Sequence, residues 1–176
     1  MTVKRMVTNA MLIAMYVVLS LFSINLGNMK ITLDSFPIIV GAALFGPLDG
    51  LIIGFLGSFL NQLLFFGFTP TTLLWVAPAA VRGLLIGFFA KRHQFNMNFG
   101  QTQFITISTA LLVTLLNTCV MYIDSKIYGY YSFAYVFGAI VPRIFTGVLV
   151  AFVFGSILPY VIKPVKSFFD RRERAV

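Results

Sequence analysis

Six apolar runs, at about residues 6–24, 35–46, 50–66, 72–90, 102–123 and 134–162, take up most of this chain. A helix rising 1.5 Å per residue needs ~20 residues to cross ~30 Å of hydrocarbon, so runs of this length call for a bilayer as solvent. Composition agrees. Hydrophobic residues make up 59% and charged residues 10%, with a mean hydropathy of +0.94, whereas soluble domains carry roughly 45–50% apolar and 25% charged residues. The expected fold is an all-α integral membrane protein of six transmembrane helices, forming a single membrane domain over residues 1–176. The second run is short and the last is long.

The net charge of +8 raises nucleic acid as a partner, but such binding needs basic residues gathered on one exposed face with stacking aromatics beside them. Here the charges fall in short clusters between apolar runs, and the 20 Phe fill the runs themselves. No nucleic-acid partner is expected. Cys119 is alone, so no intramolecular disulfide forms, and its apolar neighbours mark it as a packing residue. The first run follows Lys4 and Arg5 but precedes no convincing small-residue cleavage site, so it is read as a retained span. In "LFGPLDGLIIG", Gly46, Pro47 and Asp49 mark a tight connection between the second and third spans.

Six spans place both termini on one side. That side collects Lys4, Arg5, Lys91, Arg92, Lys163, Lys166, Arg171, Arg172 and Arg174, against Lys30 and Lys126 opposite, so the positive-inside rule makes the termini cytoplasmic. The outer loops are then about 25–34, 67–71 and 124–133, the last rich in Tyr. His93 falls in the inner loop "KRHQFNMN" and is read as a solvated histidine rather than a metal ligand.

Ionisable side chains at membrane depth are costly and usually face a protein interior or a wet cavity. Arg82 and Arg143 are the two such residues in the runs. Counted from the outer ends, Arg82 lies ~15 Å down the fourth span, Arg143 ~13 Å down the sixth, Asn117 ~10 Å down the fifth and Asn61 ~9 Å down the third. Four polar groups from four spans thus share one layer. They suit a cavity open to the outside, and two guanidiniums without a membrane-depth carboxylate imply an anionic guest, typically a carboxylate. Trp75, two turns above Arg82 on the same helix face, gives the cavity an aromatic wall; Tyr122, Phe66 and Thr72 are weaker candidates. The competing reading has these groups satisfying backbone carbonyls released by Pro78 and Pro142.

Small residues four apart, at Gly50 and Gly54, Gly83 and Gly87, and Ala10 and Ala14, let helix backbones approach closely. Internal packing accounts for the glycines. For the Ala pair, docking of another membrane subunit competes with internal packing. No energy source is visible: the chain lacks a nucleotide-binding G-x-x-x-x-G-K-[ST] loop, an H-E-x-x-H or G-x-S-x-G motif, and a membrane-depth carboxylate pair for ion coupling. No catalytic residue, cofactor or metal site is expected. The alternative is a self-contained small transporter or an integral-membrane enzyme, with Asp34, Asp49, Asp124 or His93 as its only chemistry.

The chain resembles the substrate-binding S components of energy-coupling factor (ECF) vitamin transporters. The resemblance covers nearly the whole length and rests on "NAMLIAMYVVLS" with Ala10 and Ala14, on "ITLDSFPIIVGAALFGPLDGLIIG", and on "PAAVRGLLIG". It implies a vitamin-binding subunit of an ABC importer of the bacterial cytoplasmic membrane, partnered by a membrane scaffold subunit and two ATPase subunits. It also implies capture of the vitamin from outside and release inside by toppling, with Ala10 and Ala14 as the scaffold-docking pair. "KITLDSFPIIVGAALFGPLDG" resembles the folate group and "NTCVMYIDSKIYGYYSFAYVFGAIVPRI" the pantothenate type. Both vitamins are carboxylates, and pantothenate is the favoured guest because its hydroxyls and amide suit Asn61 and Asn117.

Overall fold

The computed structural model describes residues 3–26 and 29–173, with side chains described outside 25–31 and 168–173. Arg174 and the side chains of Lys30, Arg171 and Arg172 lie outside this set, so their part in the charge asymmetry is read from sequence alone. The elements run α1 (Val3–Leu21), β1 (Ile24–Leu26), β2 (Met29–Ile31), α2 (Ser35–Phe45), α3 (Pro47–Phe66), α4 (Thr72–Arg92), α5 (Phe99–Ile127), α6 (Phe133–Phe137) and α7 (Ile140–Glu173).

Among the described residues five helices are long and apolar enough to cross a membrane, not six. The second apolar run forms α2, an 11-residue helix that is only ~16 Å long and cannot span ~30 Å of hydrocarbon. The fold is also not purely helical. The stretch expected to be an outer loop carries a short antiparallel pair, β1 with β2, in which Ile24 faces Ile31. The α2 helix ends at Gly46, whose φ of 99° suits a residue without a side chain, and Pro47 starts α3 at once. Seven consecutive residues of α2, Pro37 to Ala43, are buried. A helix apolar on all sides is stable only when covered on all sides, and α1, α3, α4 and α7 supply that cover.

The small residues act as expected inside the bundle. A Cβ on Gly50 would overlap the Gly83 carbonyl, one on Gly54 would overlap that of Ala79, and one on Gly87 would overlap Pro47, so α3 and α4 lie backbone to backbone. Contacts at that range replace lipid with close dispersion packing. On α5, Gln103 Nε2 donates to Ser156 Oγ at 2.8 Å and to the Phe152 carbonyl at 3.2 Å, fastening α7.

Helix α1 has two faces. Asn9, Leu12, Tyr16 and Ser20, spaced three to four apart, form its buried stripe. Ala10 and Ala14 are exposed on another face among Met6, Val7, Met11 and Val18. Near its start, Arg5 pairs with Asp49 on both carboxylate oxygens and reaches the Phe45 carbonyl, while Asn9 Nδ2 donates to Asp49 Oδ1 at 2.6 Å. Asp49 therefore sits in the first turn of α3, 1% exposed, and not in a solvated connection. A buried carboxylate is tolerated there because a cation and an amide satisfy it. The same end holds Phe95, packed against Gly46, with its carbonyl accepting from Lys166 Nζ at 2.7 Å. The starts of α1 and α3, the α4–α5 turn and the far part of α7 thus form one basic end.

Candidate functional site

At the opposite half of the bundle lies a cavity of about 770 Å³. Its lining includes Asn61 from α3, Trp75 and Arg82 from α4, Asn117 from α5 and Arg143 from α7. Five of the six residues singled out for binding thus meet around one space. The sixth, Tyr122, is not among the lining residues. It is 40% exposed, stands edge-on to the Tyr131 ring at 5.4 Å, and Lys126 Nζ lies over it at 5.8 Å. It belongs to an aromatic cluster on the outer surface. Phe66 reaches the lining, whereas Thr72 is buried away from it. Cys119 is exposed rather than packed inside.

The depth of each group follows from the helices. Arg82 stands ten residues from both Thr72 and Arg92, hence ~15 Å from either end of α4. Pro78, one turn above it, is accommodated inside the helix, and Arg82 Nε is buried without a hydrogen-bond partner, so this nitrogen does not cap a released carbonyl. Pro142 lies in the first turn of α7, where a missing N–H costs nothing, and Arg143 is one residue further on. Arg143 Nη2 contacts Met121 Sδ at 3.0 Å. Asn61 is oriented by Ser20, whose hydroxyl donates to its Oδ1 at 2.7 Å.

The lining also holds Asp34, Asp124 and Tyr16, which the sequence reading does not offer as binding groups. Asp34 precedes the short helix α2, whose far end lies among the residues of the basic end, so it too stands ~15 Å above that end. It is 8% exposed and accepts from Thr32 Oγ1 at 2.7 Å. It shares the cavity lining with Arg82, near enough for its negative charge to act on that guanidinium. A membrane-depth carboxylate therefore exists, contrary to the expectation that both arginines lack one. The clue was in the sequence. A run of 12 apolar residues is too short to start at the outer surface, so the residue before it must lie below that surface. Non-helical backbone at that depth is tolerated because it lines a cavity.

Asp124 is likewise buried at 8% exposure rather than on a solvated loop. Thr71 Oγ1 donates to its Oδ1 at 2.6 Å, Trp75 Nε1 donates to the same oxygen at 3.2 Å, and the Tyr130 hydroxyl donates to Oδ2. Tyr16 closes the floor from α1, packed so tightly on Gly57 that a Cβ there would stand 2.8 Å from its ring. The lining thus carries two arginines and two aspartates, with one aspartate beside Arg82 and the other engaged two turns higher. A chamber of this kind can hold a polar, vitamin-sized molecule, since binding cavities run from ~300 to 1,000 Å³ with a few placed polar groups.

Comparison with known proteins bears on which chamber this is. A crystal structure of FolT bound with folic acid shares the fold at a TM-score of 0.67 and 24% identity, over 92% of this chain and 96% of that one. A UPF0397 protein of Lacticaseibacillus casei (strain BL23) is 38% identical over 76 residues, which are 42% of this chain and 39% of that protein. A UPF0397 protein of Clostridium perfringens (strain SM101 / Type A) is 42% identical over 55 residues, 31% of this chain and 29% of that protein. The chain therefore spans about two-fifths or less of the length of these relatives. The model of the family described as "ECF transporter, substrate-specific component" matches residues 4–161, nearly the whole chain, and this multi-pass membrane protein belongs to that family.

Proposed function

We propose that this chain is the vitamin-capturing subunit of an ECF-type importer and that the 770 Å³ cavity is its binding chamber. The observation that carries the reading is the guanidinium of Arg82, at mid-depth in that cavity with Nε buried and without a hydrogen-bond partner. A donor in that state calls for an acceptor from the guest, and a carboxylate meets a guanidinium best. Asp124 does not compete for it, being held by three donors two turns above. Asp34 tempers the charge of the floor and takes N–H groups of the guest. Arg143, Asn117 and Asn61 read the polar body, and Trp75 forms the aromatic wall.

Folate-type vitamins fit this reading. The volume lies in the upper part of the range for ligand cavities, and the fold is that of a protein crystallised with folic acid. Pantothenate stays as a second reading because two amides, Asn61 and Asn117, face the same space and suit its hydroxyls and amide. The basic end, where Arg5, Lys91, Arg92 and Lys166 gather, points to the cytoplasm by the positive-inside rule. On this reading both termini lie inside and the mouth outside, in the bacterial cytoplasmic membrane. Ala10 and Ala14, exposed on α1, are the docking pair for a membrane scaffold subunit that carries two ATPases.

The test is a binding titration of the purified chain with folic acid and with pantothenate, followed by affinity capture of its partners from the native membrane. Saturable binding of one vitamin and capture of an ATPase-bearing complex are the expected results. A folded chain that binds neither vitamin and captures no ATPase leaves the self-contained transporter or enzyme in its place.

A further inference from the structure

A carboxylate buried at the rim of a cavity must be satisfied by its neighbours or carry a large desolvation penalty. Asp124, in the last turn of α5, is satisfied by three side chains from two other segments. Thr71 and Trp75 come from the start of α4, and Tyr130 from the stretch between α5 and α6. That stretch turns back on itself at Gly129, where φ is 75°, and the Tyr130 N–H donates to the Ser125 carbonyl at 3.1 Å. Tyr130 is brought over the rim in this way, 45% exposed, with the Tyr135 ring edge-on at 5.6 Å. Both tyrosines line the cavity.

Two consequences follow from one carboxylate. The indole N–H, the only polar group of the Trp75 side chain, is engaged by Asp124, so this side chain meets a guest through its ring alone and in one orientation. Tyr130 is tethered at both its backbone and its hydroxyl, so the mouth stays narrow while the Tyr130–Asp124 hydrogen bond is made. We infer that Asp124 is the positioning residue of the mouth: it fixes Trp75 as a wall and pins Tyr130 beside it, and so sets how fast a bound guest leaves. A carboxylate suits this role because its two oxygens accept from all three donors at once. The inference rests on the cavity being the binding chamber.

Trp75 is the single tryptophan of the chain, so its fluorescence reads the mouth directly. Acrylamide quenching of the purified, guest-free chain is measured for the wild type, Tyr130→Phe and Asp124→Asn, and folic acid is then used as the probe for dissociation. Both variants are expected to raise the quenching constant. Tyr130→Phe is expected to speed folic acid dissociation about tenfold, the factor that one ordinary hydrogen bond carries, with the change in affinity falling on dissociation rather than association. Unchanged quenching in both variants overturns the positioning role, and raised quenching with unchanged dissociation overturns the residence role. Should Asp124→Asn fail to fold, Tyr130→Phe removes one oxygen from a half-exposed ring and keeps the test decisive. If neither folic acid nor pantothenate binds the wild type, the binding reading fails while the quenching result still decides the placement of Trp75.

Discussion

Arg82 is the residue on which the chemistry turns. Its Nε is buried and unmatched, so Arg82→Ala removes one partner of a desolvated charged contact and is expected to weaken vitamin binding by roughly 2–4 kcal/mol. Lysine cannot present the flat guanidinium fork, so Arg82→Lys should recover only part of that loss in the same titration. Tyr130 supplies a second prediction, through pH. Burial first, and then the hydrogen bond and charge of Asp124, push its phenol well above the ordinary tyrosine range. A value raised in the folded state means that the contact is fully present below the free tyrosine value of about 10 and is lost only as the pH rises through the higher, folded value. Trp75 quenching should therefore stay level through neutral and mildly alkaline pH. A rise that tracks an ordinary tyrosine would contradict the contact.

At the scale of elements, the α3–α4 contact is the most sensitive joint. Gly83 leaves no room for a Cβ against Gly50, and extra methylenes in a packed interface cost ~1–3 kcal/mol or more, so Gly83→Leu should lower the thermal midpoint in detergent sharply. Exposed Ala10 and Ala14 offer the opposite case: changing both to Trp should abolish capture of the scaffold while leaving vitamin affinity and thermal midpoint near wild type. Equal loss of binding would mean that the pair packs inward. The glycine spacing was legible from sequence because close approach of helices requires small residues at that period. The short helix α2 and the strand pair before it were less so. Hydropathy registers a buried helix and a spanning one alike, and it misreads a carboxylate next to an apolar run as solvated. Asp34, Asp49 and Asp124 all read as loop residues for that reason, yet each is buried, and Asp49 and Asp124 are bonded to groups from distant parts of the chain, pairings that are invisible to a local pattern.

For the whole molecule, one end is basic and the other holds the cavity. The arginines and asparagines around the cavity were legible because charge and amide groups at membrane depth are rare and costly. Tyr122 was not, since an aromatic at a helix end is equally at home on an outer surface, where it in fact lies. The measurement that bears most directly on this account is a Trp75 fluorescence titration of the purified chain with folic acid and with pantothenate, run on the wild type and on Arg82→Ala. Saturable one-to-one binding of one vitamin by the wild type, weakened at least about thirtyfold in Arg82→Ala, is the result the account requires. A folded wild type that binds neither vitamin, or an Arg82→Ala variant that binds as tightly as the wild type, would contradict it.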